Sequence, residues 1–180
     1  MDRKKVYLQN GKIYFNGDVE NGSVENLISI SDDFINSAPK GSLDYTLIID
    51  SYGGEVPAGL KFIDYLNTEI QPNVKSDTCI AIGSCHSIAT TIFSFFSKRL
   101  ITPRAVFMLH ELAGRLNGKL SHIRNSVDWY EIAEKQMIDI YTSATGYSEE
   151  KIREMISYDN YMTAEEAVKH GFAQKIYYGK

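Results

Sequence analysis

The chain has 180 residues, 43% hydrophobic and 23% charged, a composition that fits one folded domain and argues against a disordered or fibrous chain. Nineteen Lys and Arg against 23 Asp and Glu leave a net charge of −4 with no basic block, which speaks against nucleic acid as a partner. No apolar run reaches the ~20 residues of a membrane-spanning helix, so no membrane partner is expected.

The start, Met1-Asp2-Arg3-Lys4-Lys5, is basic but lacks the apolar core of a secretory signal. Val6–Leu8 and Lys12–Phe15 read as strands around an Asn10-Gly11 hairpin turn. Val24, Leu27, Ile28, Phe34 and Ile35 fall on one helical face, and Ala38-Pro39-Lys40-Gly41 ends that helix. Tyr45–Asp50 is a continuous apolar strand, as in a parallel sheet buried on both faces. After Ser51-Tyr52-Gly53-Gly54 a helix starts near Pro57, with Leu60, Ile63 and Leu66 as its buried stripe. The segment Gln71–Asp77 is expected to protrude as a loop.

Val74–Ile82 reads as the next strand, Gly83-Ser84-Cys85-His86 as a tight turn, and Ser87–Ser97 as a central helix that is apolar nearly all round. Leu100–Thr102 and Ala105–His110 read as strands. A glycine-punctuated stretch from Gly114 to Gly118 precedes a long helix from about Ser121 to Thr142. Ser148 starts another helix, Thr163 and Glu166 form a capping box for a short one, and Phe172–Tyr178 reads as a final strand. Cys79 and Cys85 have neither disulfide-framework nor metal-ligand spacing, so a reducing, cytoplasmic setting is expected. No metal-ligand set and no Walker loop occur in the sequence, so no metal and no cofactor are expected. The alternation of strands and helices implies an α/β fold with right-handed crossovers.

In such folds, sites collect where strands hand over to helices. Ser87 stands at one handover, where the following N–H groups and the helix dipole suit an oxyanion. Taken alone, it reads first as a helix cap. Gly53-Gly54 stands at another; paired glycines permit positive φ and close approach of a ligand, or make a simple turn. His110 ends an apolar strand and suits a general base, or a half-buried structural histidine. Asp159 lies in a turn-like Ser157-Tyr158-Asp159-Asn160 stretch.

The order of these features resembles the Clp protease proteolytic subunits, serine peptidases with a crotonase-like fold. Ile48-Ile49-Asp50-Ser51-Tyr52-Gly53-Gly54 with Ala58-Gly59 resembles the family's glycine-pair segment. Gly83-Ser84-Cys85-His86-Ser87-Ile88-Ala89 resembles its nucleophile motif, Val106-Phe107-Met108-Leu109-His110 its histidine strand, and Asp159-Asn160-Tyr161-Met162-Thr163-Ala164-Glu165-Glu166-Ala167 its aspartate segment. The resemblance implies a spiral of β-β-α units with a protruding handle helix. It implies one peptidase domain over residues 1–180: an α/β core over 12–110, a handle region over 111–145, and C-terminal helices and a strand over 146–180. It implies a catalytic triad of Ser87, His110 and Asp159, and an oxyanion hole from the N–H groups of Gly54 and Ile88. Substrate would lie along Glu55, Val56, Leu112, Ala113 and Gly114. The substrates implied are peptides or unfolded proteins, the assembly is a homo-oligomer of stacked rings, and an AAA+ unfoldase is the candidate partner.

Departures from the pattern are local. Tyr52 and Leu112 replace prolines, and Ser84-Cys85-His86 replaces Gln-Ala-Ala, leaving His86 to perturb the site, contact substrate or face solvent. The arginine-bearing sequence near the family's aspartate is absent, so coupling between rings is expected to differ. Few residues precede the Lys12 strand, so the family's axial gating loop is expected to be reduced or missing. The same features fit a phage-encoded or accessory homologue in a bacterial cytoplasm. Other readings are a phage prohead or capsid maturation protease, a non-catalytic ring subunit, and an acyl-CoA enzyme of the same fold. His122 and His170 read as surface residues, and Trp129 and Tyr130 as packing or interface residues.

Overall fold

The computed structural model describes residues 5–179. Residues 1–4, on which the secretory-signal and axial-loop readings bear, lie outside the described residues. The chain opens with a hairpin of β1 (Val6–Gln9) and β2 (Lys12–Asn16). Asn10 and Gly11 both have positive φ, 51° and 70°, the two-residue geometry that an Asn-Gly pair adopts at least cost. Helix α1 (Asn21–Ile35) buries Val24, Leu27 and Ile35. It leads to β3 (Asp44–Ser51), α2 (Val56–Tyr65) and a π-helical turn, Leu66–Ile70. Next come β4 (Ser76–His86), α3 (Ile88–Phe95), β5 (Lys98–Ile101) and β6 (Val106–Leu109). The remainder is α4 (Leu120–Thr145), α5 (Glu149–Ile156), β7 (Asn160–Met162), α6 (Ala164–Lys169) and β8 (Lys175–Ile176).

The strands form one mixed sheet in the order β1-β2-β3-β4-β5-β8, with β6 branching from β4 and β7 pairing β6. The β2-β3-β4-β5 run is parallel, which requires the intervening helices as crossovers. The architecture is therefore mixed α/β, consistent with a crotonase-like fold. The principal core includes Val24, Leu47, Ile49, Phe62, Ile92, Phe93, Phe107, Ile138 and Phe172. Seven successive residues of α3, Ile88 to Ser94, are buried, as expected of a helix that is apolar all round. A smaller cluster of Ile48, Ile80 and Leu100, flanked by Tyr14, Ile82 and Tyr177, accounts for the alternate residues of the same strands.

Central strand β4 is longer than its apolar run. Gly83–His86 is not a tight turn but the second half of this strand, pairing with β6 instead of β5. The change of partner coincides with a bulge: the register runs Ile49↔Ala81 and then Ser51↔Cys85. Two extra residues of β4 are accommodated there. The Asp50 carboxylate accepts the freed Ser84 N–H at 2.9 Å, and a Cβ on Gly83 would lie 2.6 Å from that carboxylate. A glycine inside a strand pattern is the usual mark of such a bulge.

Three other expectations are corrected. The segment to Asp77 does not protrude. A π-helical turn leads into it, and Asp77 is buried in β4, where it accepts the Ser97 N–H at 2.8 Å and a Gln71 amide N–H at 3.3 Å. The final strand is only Lys175–Ile176, because Phe172 and Ala173 are drawn into the core. His170 is no isolated surface residue, since its Nδ1 lies 3.0 Å from the Tyr147 hydroxyl. Strand β7, three residues long, has no signal above the turn chemistry around it. The capping box does form: the Thr163 hydroxyl accepts the Glu166 N–H and the Glu166 carboxylate accepts the Thr163 N–H. Among the described residues, no helix is long and apolar enough to cross a membrane.

Candidate active site

Strand direction gathers the candidate residues. Strands β3, β4 and β6 run parallel, so their C-terminal ends lie at one edge of the sheet. Gly53-Gly54 follow β3, Ser87 follows β4, and His110 follows β6. Strand β7 runs antiparallel to β6, so its start lies at that same edge, just after Asp159.

Ser87 sits between β4 and α3 with φ 55° and ψ −132°. A positive φ is costly for a residue with a side chain, of order 1–3 kcal/mol, and must be held by its surroundings. Here the Ser87 N–H donates to the Met108 carbonyl at 2.9 Å, and the Ser87 carbonyl accepts the N–H of Thr90. The Thr90 hydroxyl donates to that same carbonyl. It also lies 2.7 Å from the Tyr141 hydroxyl, which in turn lies 2.8 Å from the Thr91 hydroxyl. The Ser87 corner is thereby tied to α4. Burial in this cluster pushes the Tyr141 phenol up to about 12, so it is a neutral hydrogen-bonding group throughout the physiological range. Thr90 and Tyr141 were not legible as site residues, because they act through the backbone of Ser87.

His110 Nε2 lies 2.7 Å from Ser87 Oγ, within range for proton transfer. Asp159 is exposed, and among the described residues no hydrogen bond joins it to His110. Its placement follows from register. Phe107↔Met162, Met108↔Tyr161 and Leu109↔Asn160 are paired, so one further step sets His110 opposite Asp159, the spacing of cross-strand neighbours.

The glycine pair packs on the serine. Gly53 has φ 93°, and a Cβ there would stand 2.7 Å from Ser87 Cβ. Gly54 bridges Val19, with Val19 N–H donating to the Gly53 carbonyl and Glu55 N–H to the Val19 carbonyl. In a parallel bridge of this kind the intervening Gly54 N–H faces away from Val19. Ile88 is the first residue of α3, so its N–H has no intrahelical acceptor.

His86, next to Ser87, is buried and does not face solvent. Its ring lies edge-on between Tyr52 and Tyr161, at 5.2 and 5.7 Å. Among the described residues its Nε2 has no hydrogen-bond partner. Burial holds its pKa below the ordinary histidine value, and the Asp50 carboxylate opposes this as the smaller effect. Cys79 and Cys85 are fully buried and unbridged; burial raises both thiols well above the usual cysteine range, which makes them inert core groups.

A cavity of about 320 Å³ adjoins the glycine pair, lined by Asn21, Gly54, Glu55, Val56, Pro57, Leu112, Ala113, Trp129 and Tyr130. Four of the residues expected to contact substrate thus line one space. Gly114 instead packs on α4, where a Cβ would lie 2.1 Å from the Tyr130 hydroxyl. Trp129 and Tyr130, read as packing or interface residues, contribute the cavity's aromatic wall. Another cavity, of about 360 Å³, is lined by Ser94, Arg99, Asp139 and their neighbours, away from Ser87. The buried Arg99 guanidinium there donates to the carbonyls of Phe96, Ala144 and Phe172. Among the described residues, no group of three or more His, Cys, Asp and Glu side chains is arranged to hold a metal ion.

A family model described as Clp protease matches residues 2–180. The chain is also 29% identical over 135 residues to an ATP-dependent Clp protease proteolytic subunit 2 of Bifidobacterium longum, covering 74% of this chain and 63% of that relative. The aligned region thus spans under two thirds of the relative's length.

Proposed function

The chain belongs to the Clp protease family, and from that premise we propose that it is a serine endopeptidase acting on peptides or unfolded proteins. The observation that carries this reading is the 2.7 Å contact between His110 Nε2 and Ser87 Oγ, at a serine held with positive φ. His110 takes the hydroxyl proton as Ser87 Oγ attacks the scissile carbonyl, then delivers it to the leaving amine. Water hydrolyses the resulting acyl-serine by the same route in reverse. The N–H groups of Gly54 and Ile88 supply the donors for the oxyanion, and loss of one such donor costs roughly 10²–10³ in turnover in comparable sites. Asp159 orients the His110 ring and stabilises its charged form, a role supported by its place opposite His110 in the β6-β7 register.

The assembly proposed is a homo-oligomer of stacked rings that uses α4 as its handle. An AAA+ unfoldase is the proposed partner and the cytoplasm the proposed location. The test is labelling of the native protein by a fluorophosphonate, with Ser87→Ala as control. Labelling confined to Ser87 is expected; no labelling of the assembled protein would sink the reading. A second reading, a non-catalytic ring subunit, is favoured by one observation: no hydrogen bond joins Asp159 to His110 among the described residues. It requires that Ser87 stay unlabelled even in the assembled state.

A further inference from the structure

The Gly53-Gly54 segment that packs on Ser87 runs directly into the 320 Å³ cavity, and the chemistry of that cavity is one-sided. Val56, Leu112 and Ala113 supply apolar wall, and Trp129 and Tyr130 supply two rings, with centroids 5.2 Å apart and planes at 60°. Among the described residues, Glu55 is the only formally charged one lining it, and none that lines it is cationic. Glu55 is the N-cap of α2, yet its side chain makes no capping hydrogen bond. Among the described residues its carboxylate has no ion pair or hydrogen bond, and the Asn21 amide, also lining the cavity, has no hydrogen bond either. An unspent carboxylate beside aromatic rings and an aliphatic wall is the combination that recognises a long cationic side chain.

We propose that this cavity receives a lysine or arginine side chain of the bound polypeptide, with the cationic head at Glu55, the methylene stem along Val56, Leu112 and Ala113, and Trp129 or Tyr130 against the charge. The cavity begins at Gly54, one residue beyond the glycine that touches Ser87, so the side chain it selects belongs to a residue flanking the scissile bond. The inference rests on the peptidase reading above for the identity of the ligand as substrate.

Trp129 is the only tryptophan of the chain, so its emission reports occupancy of the cavity without turnover. The Ser87→Ala protein is titrated with a capped tetrapeptide containing arginine and with the same peptide containing citrulline, which keeps the shape and removes the charge. The arginine peptide is expected to shift Trp129 emission at about 10-fold lower concentration, the size of one charge-assisted hydrogen bond. Glu55→Gln is expected to abolish that difference. Equal titration by the two peptides, no emission change with either, or a preference that survives Glu55→Gln would overturn the inference. Fluorophosphonate labelling of the native protein separates the two levels: discrimination without labelling of Ser87 overturns the peptidase reading while the cavity's selectivity stands.

Discussion

At the scale of single residues, two positions beside Ser87 are held under constraint. Gly53 meets Ser87 Cβ and the His86 carbonyl within 2.8 Å of where its own Cβ would be, at φ 93°. Neither neighbour is a flexible side-chain end. Gly53→Ala should therefore displace Ser87 from its corner, lowering stability by about 1–3 kcal/mol and slowing fluorophosphonate labelling. Mass spectrometry of the labelling time course beside a thermal melt checks both effects. His86 is the second case. Its folded pKa is depressed by burial, so between the two values the unfolded chain binds more protons than the folded one. Stability is then lost as pH falls through the ordinary histidine range of about 6.5. His86→Phe, which keeps a ring between Tyr52 and Tyr161, should lose less stability than the native protein between pH 8 and 5.5. Parallel melting curves for the two proteins would refute this. The sequence put His86 next to Ser87 but could not say which way it faced. Register decides that, since Ser51↔Cys85, His86↔Met108 and Met108↔Tyr161 set Tyr52, His86 and Tyr161 in one row across the sheet.

At the scale of elements, the fold holds its site by tying α3 to α4. The buried Tyr141 hydroxyl serves both Thr90 and Thr91, and Thr90 in turn holds the Ser87 carbonyl. Tyr141→Phe leaves two buried threonine hydroxyls short of a partner and should cost about 1–3 kcal/mol. Denaturant unfolding reads that cost, and a disproportionate slowing of Ser87 labelling would show that the link reaches the site. The α6 capping box makes a contrast, because it is exposed and shares no hydrogen bond with the Ser87 cluster among the described residues. Thr163→Ala should cost about 1 kcal/mol with no change in labelling. Caps and helices were legible because their signals are local: Thr163 and Glu166 are three residues apart. The Thr90–Tyr141 link spans |i−j| of 51, and no local pattern announces it.

At the scale of the whole molecule, the incomplete contact among the three residues of the proposed triad is the informative feature. Ser87 and His110 are in contact, whereas Asp159 stands exposed just before the start of a three-residue strand. Light scattering coupled to hydrolysis of a short fluorogenic peptide should find activity only in oligomeric fractions, and active monomers would contradict the proposed assembly. Local sequence suffices for the Asn10-Gly11 hairpin, the α/β alternation, the helix caps, and the serine, histidine and glycine-pair positions at the ends of apolar strands. These are set by spacing and turn chemistry within a few residues. Long-range packing sets the exchange of β5 for β6 as the partner of β4 at the Gly83 bulge, and the antiparallel return of β7 that brings Asp159 to the edge where β3, β4 and β6 end. It also brings Glu55 and Trp129, far apart in the chain, to one cavity. The physical reason is that strand pairing and side-chain burial are settled between distant segments, where a hydrogen bond left unmade or an apolar face left wet costs more than any local preference supplies.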